Sequence, residues 1–224
     1  MVIILGILIL LLLDQRRQNS LEIDRKNNTI RQLVNVIDED IGQIGGFVHL
    51  QSYSLRSADR IFDNLNNRNS LPQDSIIYHL SSIGRGLRSF FPQQGIFHQL
   101  VSSDLIKMIQ SDILKKRLLK LYNEDLRRHD VHTKEFDKFF LEFNYSLSEQ
   151  FYLEDSWSTS PTDPIPIVIK GYDFNEQYYQ TRKLYADVVE ARSSIQSYLS
   201  ELDDLRDSFS ALKRLCEKEL RGYN

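Results

Sequence analysis

The chain has 224 residues, a hydrophobic fraction of 41%, a charged fraction of 26% and a formal net charge of −3. That length and apolar content suffice for a real core in one large domain or two small ones, and the near-neutral balance excludes a general affinity for nucleic acid or anionic lipid. Nine glycines, five prolines and a single cysteine exclude a disulfide framework and leave long stretches free of helix breakers. The cysteine, Cys216, falls at an apolar helical position and reads as packing, which leaves the redox compartment open.

Val2 to Leu13 is uninterruptedly apolar and ends abruptly in Asp14, Gln15, Arg16, Arg17, Gln18 and Asn19. A helix of that run is about 18 Å long, against roughly 30 Å of bilayer hydrocarbon. The run therefore predicts part of a longer membrane anchor, or one that neighbouring helices complete. It lacks the basic leader and small-residue cleavage site of a signal peptide. A buried core helix is the alternative, and the abrupt polar junction argues against it. Residues 1–19 are thus expected to form a transmembrane anchor and junction, with a helical-bundle domain over 20–224. Arg16, Arg17, Arg25 and Lys26 would favour a cytoplasmic domain by the positive-inside rule.

Ile30, Leu33, Ile37, Ile41, Ile44, Val48, Leu55, Ala58, Phe62 and Leu65 recur in steps of three and four with one gap, the pattern of a helix seam. The helix is expected to run from the anchor to about Asn66, with a bend or a close crossing at Gly42, Gly45 and Gly46. Asn64 to Ser70 is a turn by composition. A second helix is predicted from Pro72, capped by Ser70 and loosened or ended by Gly84, Gly86 and Pro92. A shorter piece follows over Gln94–Ser102. A third long helix opens after Ser111 and carries Leu114, Leu118, Leu121, Tyr122, Leu126, Phe136, Phe139, Phe140, Phe143, Leu147 and Phe151. Its polar middle, Arg127 to Lys134, predicts a bend or a shifted buried face.

Residues 153–173, with Pro161, Pro164 and Pro166, read as a loop and then a short extended piece. Trp157 is expected to pack that loop onto the bundle. The last helix, Phe174 to Arg221, shows the cleanest period: Leu184, Val188, Ala191, Ile195, Tyr198, Leu202, Leu205, Phe209, Leu212 and Cys216 alternate steps of four and three, a heptad seam over about five repeats. The fold class expected is all-α: an anchor followed by an up-down bundle of three to four long helices with one irregular loop.

Two segments carry a family resemblance. One is Ile4-Leu5-Gly6-Ile7-Leu8-Ile9, leading directly into a long charged helix. The other is the run Phe97, Leu100, Ser102, Ser103, Met108, Ile109, Leu114, Leu118 and Tyr122. Together they resemble a family of bacterial membrane-anchored proteins, domain of unknown function 6090. The family usually has a basic stretch before the anchor and an Asn/Trp-rich junction after it, where this chain has Asp14-Gln15-Arg16. After the serines it commonly has Gly-Asn, where this chain has Asp104-Leu105, an exchange that weakens the expectation of a tight left-handed turn. The resemblance implies a single-pass protein of the bacterial inner membrane with a periplasmic helical domain, and brings no catalytic residues with it.

No motif carries chemistry. His129 and His132, with Asp125 and Glu135, share one helix face and would suit a metal, but the paired Glu-x-x-His signature of di-iron bundles is missing and a solvated polar face is the better reading. Asp38-Glu39-Asp40 and Asp203-Asp204 read as surface. Gly84-Arg85-Gly86 lacks the setting of a phosphate loop and reads as a flexible joint. Ser102-Ser103-Asp104 reads as a helix cap rather than a nucleophile elbow. Phe139, Phe140, Phe143, Tyr145, Phe151, Tyr152, Tyr178 and Tyr179 form an aromatic-rich end, either core or the lining of a docking patch. No catalytic, cofactor-binding or metal-binding residue is assigned, and no cofactor.

The expected function is that of a structural or protein-interaction module of the bacterial envelope, not an enzyme. Its partners would be the lipid bilayer through the anchor, and a protein or a second copy of itself, without nucleic acid. An extracytoplasmic ligand-sensing bundle that acts through a partner is the alternative.

Overall fold

The structure is a computed structural model and describes residues 2–86, 88–157 and 167–222. It is mostly helical: α1 (Val2–Leu65), α2 (Gln73–Gly84), α3 (Gly95–Ser102), a 3-10 turn (Leu105–Met108), α4 (Asp112–Lys120), a π turn (Leu121–Asp125), α5 (Leu126–Gln150), β1 (Tyr152–Trp157), β2 (Ile167–Asp173), α6 (Glu176–Tyr179) and α7 (Arg182–Arg221). Among the described residues no helix is long and apolar enough to cross a membrane. Leu12 and Leu13, at the end of the apolar run, are more than half exposed.

The chain divides into two compact units, Met1–Ile41 with Pro92–Arg127 and Asp207–Asn224, and Gly42–Phe91 with Arg128–Arg206. In the first, α1 and the end of α7 pack antiparallel: Lys26 meets Glu219 at 3.1 Å and Asp38 meets Lys213 at 2.6 Å, so rising numbers face falling ones. Ile30, Leu33, Ile37, Leu114, Leu118, Phe209, Leu212 and Cys216 form its core. Phe97 of α3 stacks on Tyr122 of the π turn, with centroids 4.3 Å apart. Ser111 caps α4 by accepting the Leu114 N–H at 3.2 Å, and so satisfies one of the helix's unpaired donors.

In the second unit α1, α2, α5 and α7 pack in the same up-down manner. Ser54 and Ser57 of α1 face Ser82 and His79 of α2, and His129 and Phe136 of α5 face Glu201 and Tyr198 of α7. Ile44, Ala58, Ile61, Ile77, Leu80, Phe140, Phe143, Leu184, Val188, Ile195 and Leu202 fill its core. Every heptad position predicted on α7 is buried, from Leu184 to Cys216.

Several expectations need correction. α1 is unbroken at Gly42, Gly45 and Gly46, and a Cβ built on any of the three would meet nothing within 4 Å. These glycines therefore do not mark a close crossing. α2 starts after Pro72 with no side-chain cap, so Ser70 does not cap it. The polar middle of α5 does not move its seam, because His129 and Thr133 themselves occupy buried positions. Gly84-Arg85-Gly86 is a close contact rather than a loose joint: a Cβ on Gly84 would collide with Asn144 Oδ1 and one on Gly86 would sit 2.7 Å from Ser54 Oγ. The last helix opens at Arg182, not Phe174, after the single turn of α6.

The irregular loop holds an antiparallel hairpin. β1 and β2 pair from Tyr152↔Asp173 to Trp157↔Ile167, with an irregularity at Glu154/Asp155. β2 matches the extended piece expected, and β1 is an addition. The Trp157 side chain and residues 158–166, with their three prolines, lie outside the described residues.

Candidate functional site

Among the described residues, several buried polar groups fasten segments to the long helices. In the first unit the Lys26 ammonium, wholly buried, donates to Glu219 Oε1 at 3.1 Å. Glu219 also accepts the Gln110 and Ser111 N–H groups at 2.9 and 3.1 Å. Burial pushes the Glu219 carboxyl up, but these donors together hold it below the usual carboxylate range. Asp40, expected on the surface, is fully buried and accepts the Gln93 N–H. Burial, offset by that N–H and reinforced by Glu39, raises its carboxyl to about 6. The Tyr122 hydroxyl is buried without a partner among the described residues, and burial, then the nearby Asp40 and Cys216, raise its pKa. Burial likewise pushes the Cys216 thiol up to about 12, so it is an inert packing group as expected.

In the second unit His129 is 2% exposed, which overturns the solvated reading for that residue, while His132 and Glu135 are exposed as expected. Its Nδ1 lies 3.0 Å from Glu201 Oε1 and its Nε2 3.0 Å from the Phe90 carbonyl oxygen. Glu201 Oε2 meets His132 Nδ1 at 3.2 Å, and His132 is largely exposed. The Phe90 N–H donates to the Tyr198 hydroxyl at 2.8 Å. Burial, offset by the contacts to Phe90 and Thr133, pushes that hydroxyl up to about 12. The same backbone residue is thus held at both its N–H and its carbonyl. No cluster of His, Cys, Asp or Glu among the described residues is arranged to hold a metal ion, and Asp125 pairs with Lys120 instead.

The other candidates resolve locally. Ser102 and Ser103 donate their hydroxyls back to the Gln99 carbonyl, at the end of α3. Asp104 adopts φ 60°, ψ 4°, a left-handed turn made without a glycine. Asp203 faces solvent and pairs with Arg206. At the aromatic end Phe140, Phe143, Phe151 and Tyr179 are buried, while Tyr145 and Tyr152 are each 62% exposed.

An open cleft of about 900 Å³ lies in the second unit, formed by the Asn64–Ser70 turn, the start of α2, α6 and the first turn of α7. Local chemistry shapes it. Asn67 takes φ 55°, a conformation asparagine tolerates. Asn64 locks the turn by donating to the Asn69 carbonyl at 3.2 Å and accepting from the Tyr179 hydroxyl at 2.5 Å. Thr181 caps α7 by accepting the Leu184 N–H. The Arg68 guanidinium lies 5.6 Å from the Phe62 ring centroid, and Asn69 Oδ1 is buried without a partner among the described residues. Arg182, Gln73 and Tyr185 complete a mainly polar wall.

Sequence reasoning saw the Asn64–Ser70 stretch only as a turn and singled out neither Arg68 nor Arg182. The available signal was the run of asparagines around Arg68. A second cleft, of about 350 Å³, lies between α5 and α7 beside His132, Glu135, Ser194 and Glu201. No protein-family model matches the chain, and no curated protein or solved structure matches it either.

Proposed function

We propose that this protein acts by binding rather than catalysis, as a protein-interaction module tethered to the bacterial inner membrane, with the polar cleft as its docking site. The cleft is the observation that carries the reading. Small-molecule sites of similar volume are mostly apolar and enclose their ligand. This one is open and walled by amide, guanidinium and hydroxyl groups, which suits a segment of a partner chain lying across it. Glu219 and His129, elsewhere, hold backbone groups of loops to the long helices.

The tether is the apolar segment 2–13, at whose end Leu12 and Leu13 are exposed apolar side chains of the kind a bilayer would cover. The similarity to domain of unknown function 6090 supports the same arrangement, with the bundle on the periplasmic side. The second cleft, with its serines and His132, favours the alternative of a ligand-sensing bundle. The two readings separate in one experiment. Ser70→Trp with Gln180→Trp fills the main cleft from exposed positions. Capture of a near-stoichiometric protein by the native chain and not by this variant supports docking. Equal capture by both removes the cleft from the account.

A further inference from the structure

The charge of the cleft wall deepens the interaction reading, on which this inference rests. The chain as a whole carries a net charge of −3. The cleft wall runs the other way: its charged side chains are Arg68 and Arg182 against a single carboxylate, Glu176. That carboxylate accepts from Gln180 Nε2 at 2.9 Å and keeps its charge, so the guanidiniums outnumber it by one.

The two guanidiniums are not used up internally. Arg68 makes one ion pair, a 3.4 Å contact from Nη1 to Asp63 with both side chains well exposed. A guanidinium has five N–H donors, so most of those on Arg68 remain available, while the Phe62 ring beneath keeps the fork in place. Arg182 is exposed and has no hydrogen bond or ion pair to any described residue. Guanidinium forks match carboxylates in bidentate geometry, and a stacked guanidinium loses less freedom when it binds. Around them Asn67 and Gln73 add amide donors suited to the backbone carbonyls of an extended chain.

We propose that the cleft receives an acidic peptide segment of its partner protein, with carboxylates from Asp or Glu side chains paired to Arg68 and Arg182. The complementarity is local to the two guanidiniums, in a chain whose charges otherwise nearly balance. Binding therefore weakens with salt as exposed charge pairs are screened.

The test uses the full chain in mild detergent and a fluorescein-labelled octaglutamate peptide, followed by fluorescence anisotropy at low salt, with octaglutamine as control. Saturable binding of octaglutamate is expected, with no binding of octaglutamine. Arg68→Gln with Arg182→Gln should weaken it at least about threefold, with an unchanged melting temperature because both side chains are exposed. No binding of octaglutamate, or equal binding by the double variant, overturns the proposal. Binding of octaglutamine as tight as that of octaglutamate also overturns it, while leaving the docking reading intact. Displacement of the peptide by inorganic phosphate, but not by chloride at the same ionic strength, would assign the arginines to a small anion and overturn it as well. Loss of partner capture in the tryptophan-filled variant without loss in the glutamine variant separates failure of this inference from failure of the docking reading.

Discussion

Lys26 and Glu219, 193 residues apart in sequence, meet at 3.1 Å with their side chains 0% and 4% exposed. Glu219 also receives two backbone N–H groups, so the pair ties α1, α7 and the start of α4 together at one point. Burying two charges costs nearly as much as their attraction returns, so the pair is worth little against an apolar substitute. Removing one partner is another matter, since the survivor is left buried and uncompensated.

Lys26→Met should therefore destabilise by about 3 kcal/mol. Lys26→Met with Glu219→Leu should recover only part of that, because the Gln110 and Ser111 N–H groups are then left unpaired. Denaturant unfolding measures both. Full recovery in the double variant would show that the backbone contacts contribute nothing. The depressed Glu219 carboxyl adds stability above the unfolded carboxylate value of roughly 4.3, and loses it as pH falls through its lower folded value.

Asp40 has the opposite sign. Its folded carboxyl titrates near 6, above its ordinary value of 3.8. Its contribution is complete at low pH and is lost as pH rises through about 6, a change on the order of 2–3 kcal/mol. Asp40→Asn keeps an acceptor for the Gln93 N–H and removes the ionisation. The variant should be more stable than the native chain at pH 8 and equal to it near pH 4. A native stability curve that is flat between pH 4 and 7 would refute this assignment.

Gly45 and Gly46 lie exposed inside a continuous helix with free space around their Cβ positions. Each alanine substitution should stabilise by about 1 kcal/mol. Gly84→Ala should do the reverse, because its Cβ would collide with the Asn144 amide. Thermal melts of the three variants decide this, and a Gly45→Ala/Gly46→Ala melt no higher than the native one would contradict it.

Leu202 is fully buried in the α7 seam. Burial of such a side chain contributes on the order of 1.5–3 kcal/mol, and a carboxylate there would be buried without a partner. Leu202→Asp should unfold its unit. Retention of the native helical circular dichroism and melting temperature would sink the seam.

How far the sequence could be read follows from the range of the forces involved. The α7 seam was legible because a heptad of apolar side chains needs no knowledge of its partner. Ser111 was legible as a boundary for the same local reason. His129 and Thr133 were not, since a polar residue on a seam looks like a break until the Phe90 carbonyl and Glu201 are brought to it. β1 was missed because Tyr-Leu-Glu-Asp-Ser-Trp has no strict alternation and becomes a strand only through its pairing with β2. The cleft was invisible because its walls come from segments more than a hundred residues apart, Asn64–Ser70 and Glu176–Tyr185.

The central claim is that the polar cleft docks a protein partner. The most direct measurement is affinity capture of the tagged full chain from native membranes in mild detergent, the native chain beside Ser70→Trp/Gln180→Trp, with partners quantified by mass spectrometry. The account predicts one near-stoichiometric protein with the native chain and its loss with the filled cleft. Capture of that same protein at equal yield by both chains would contradict it.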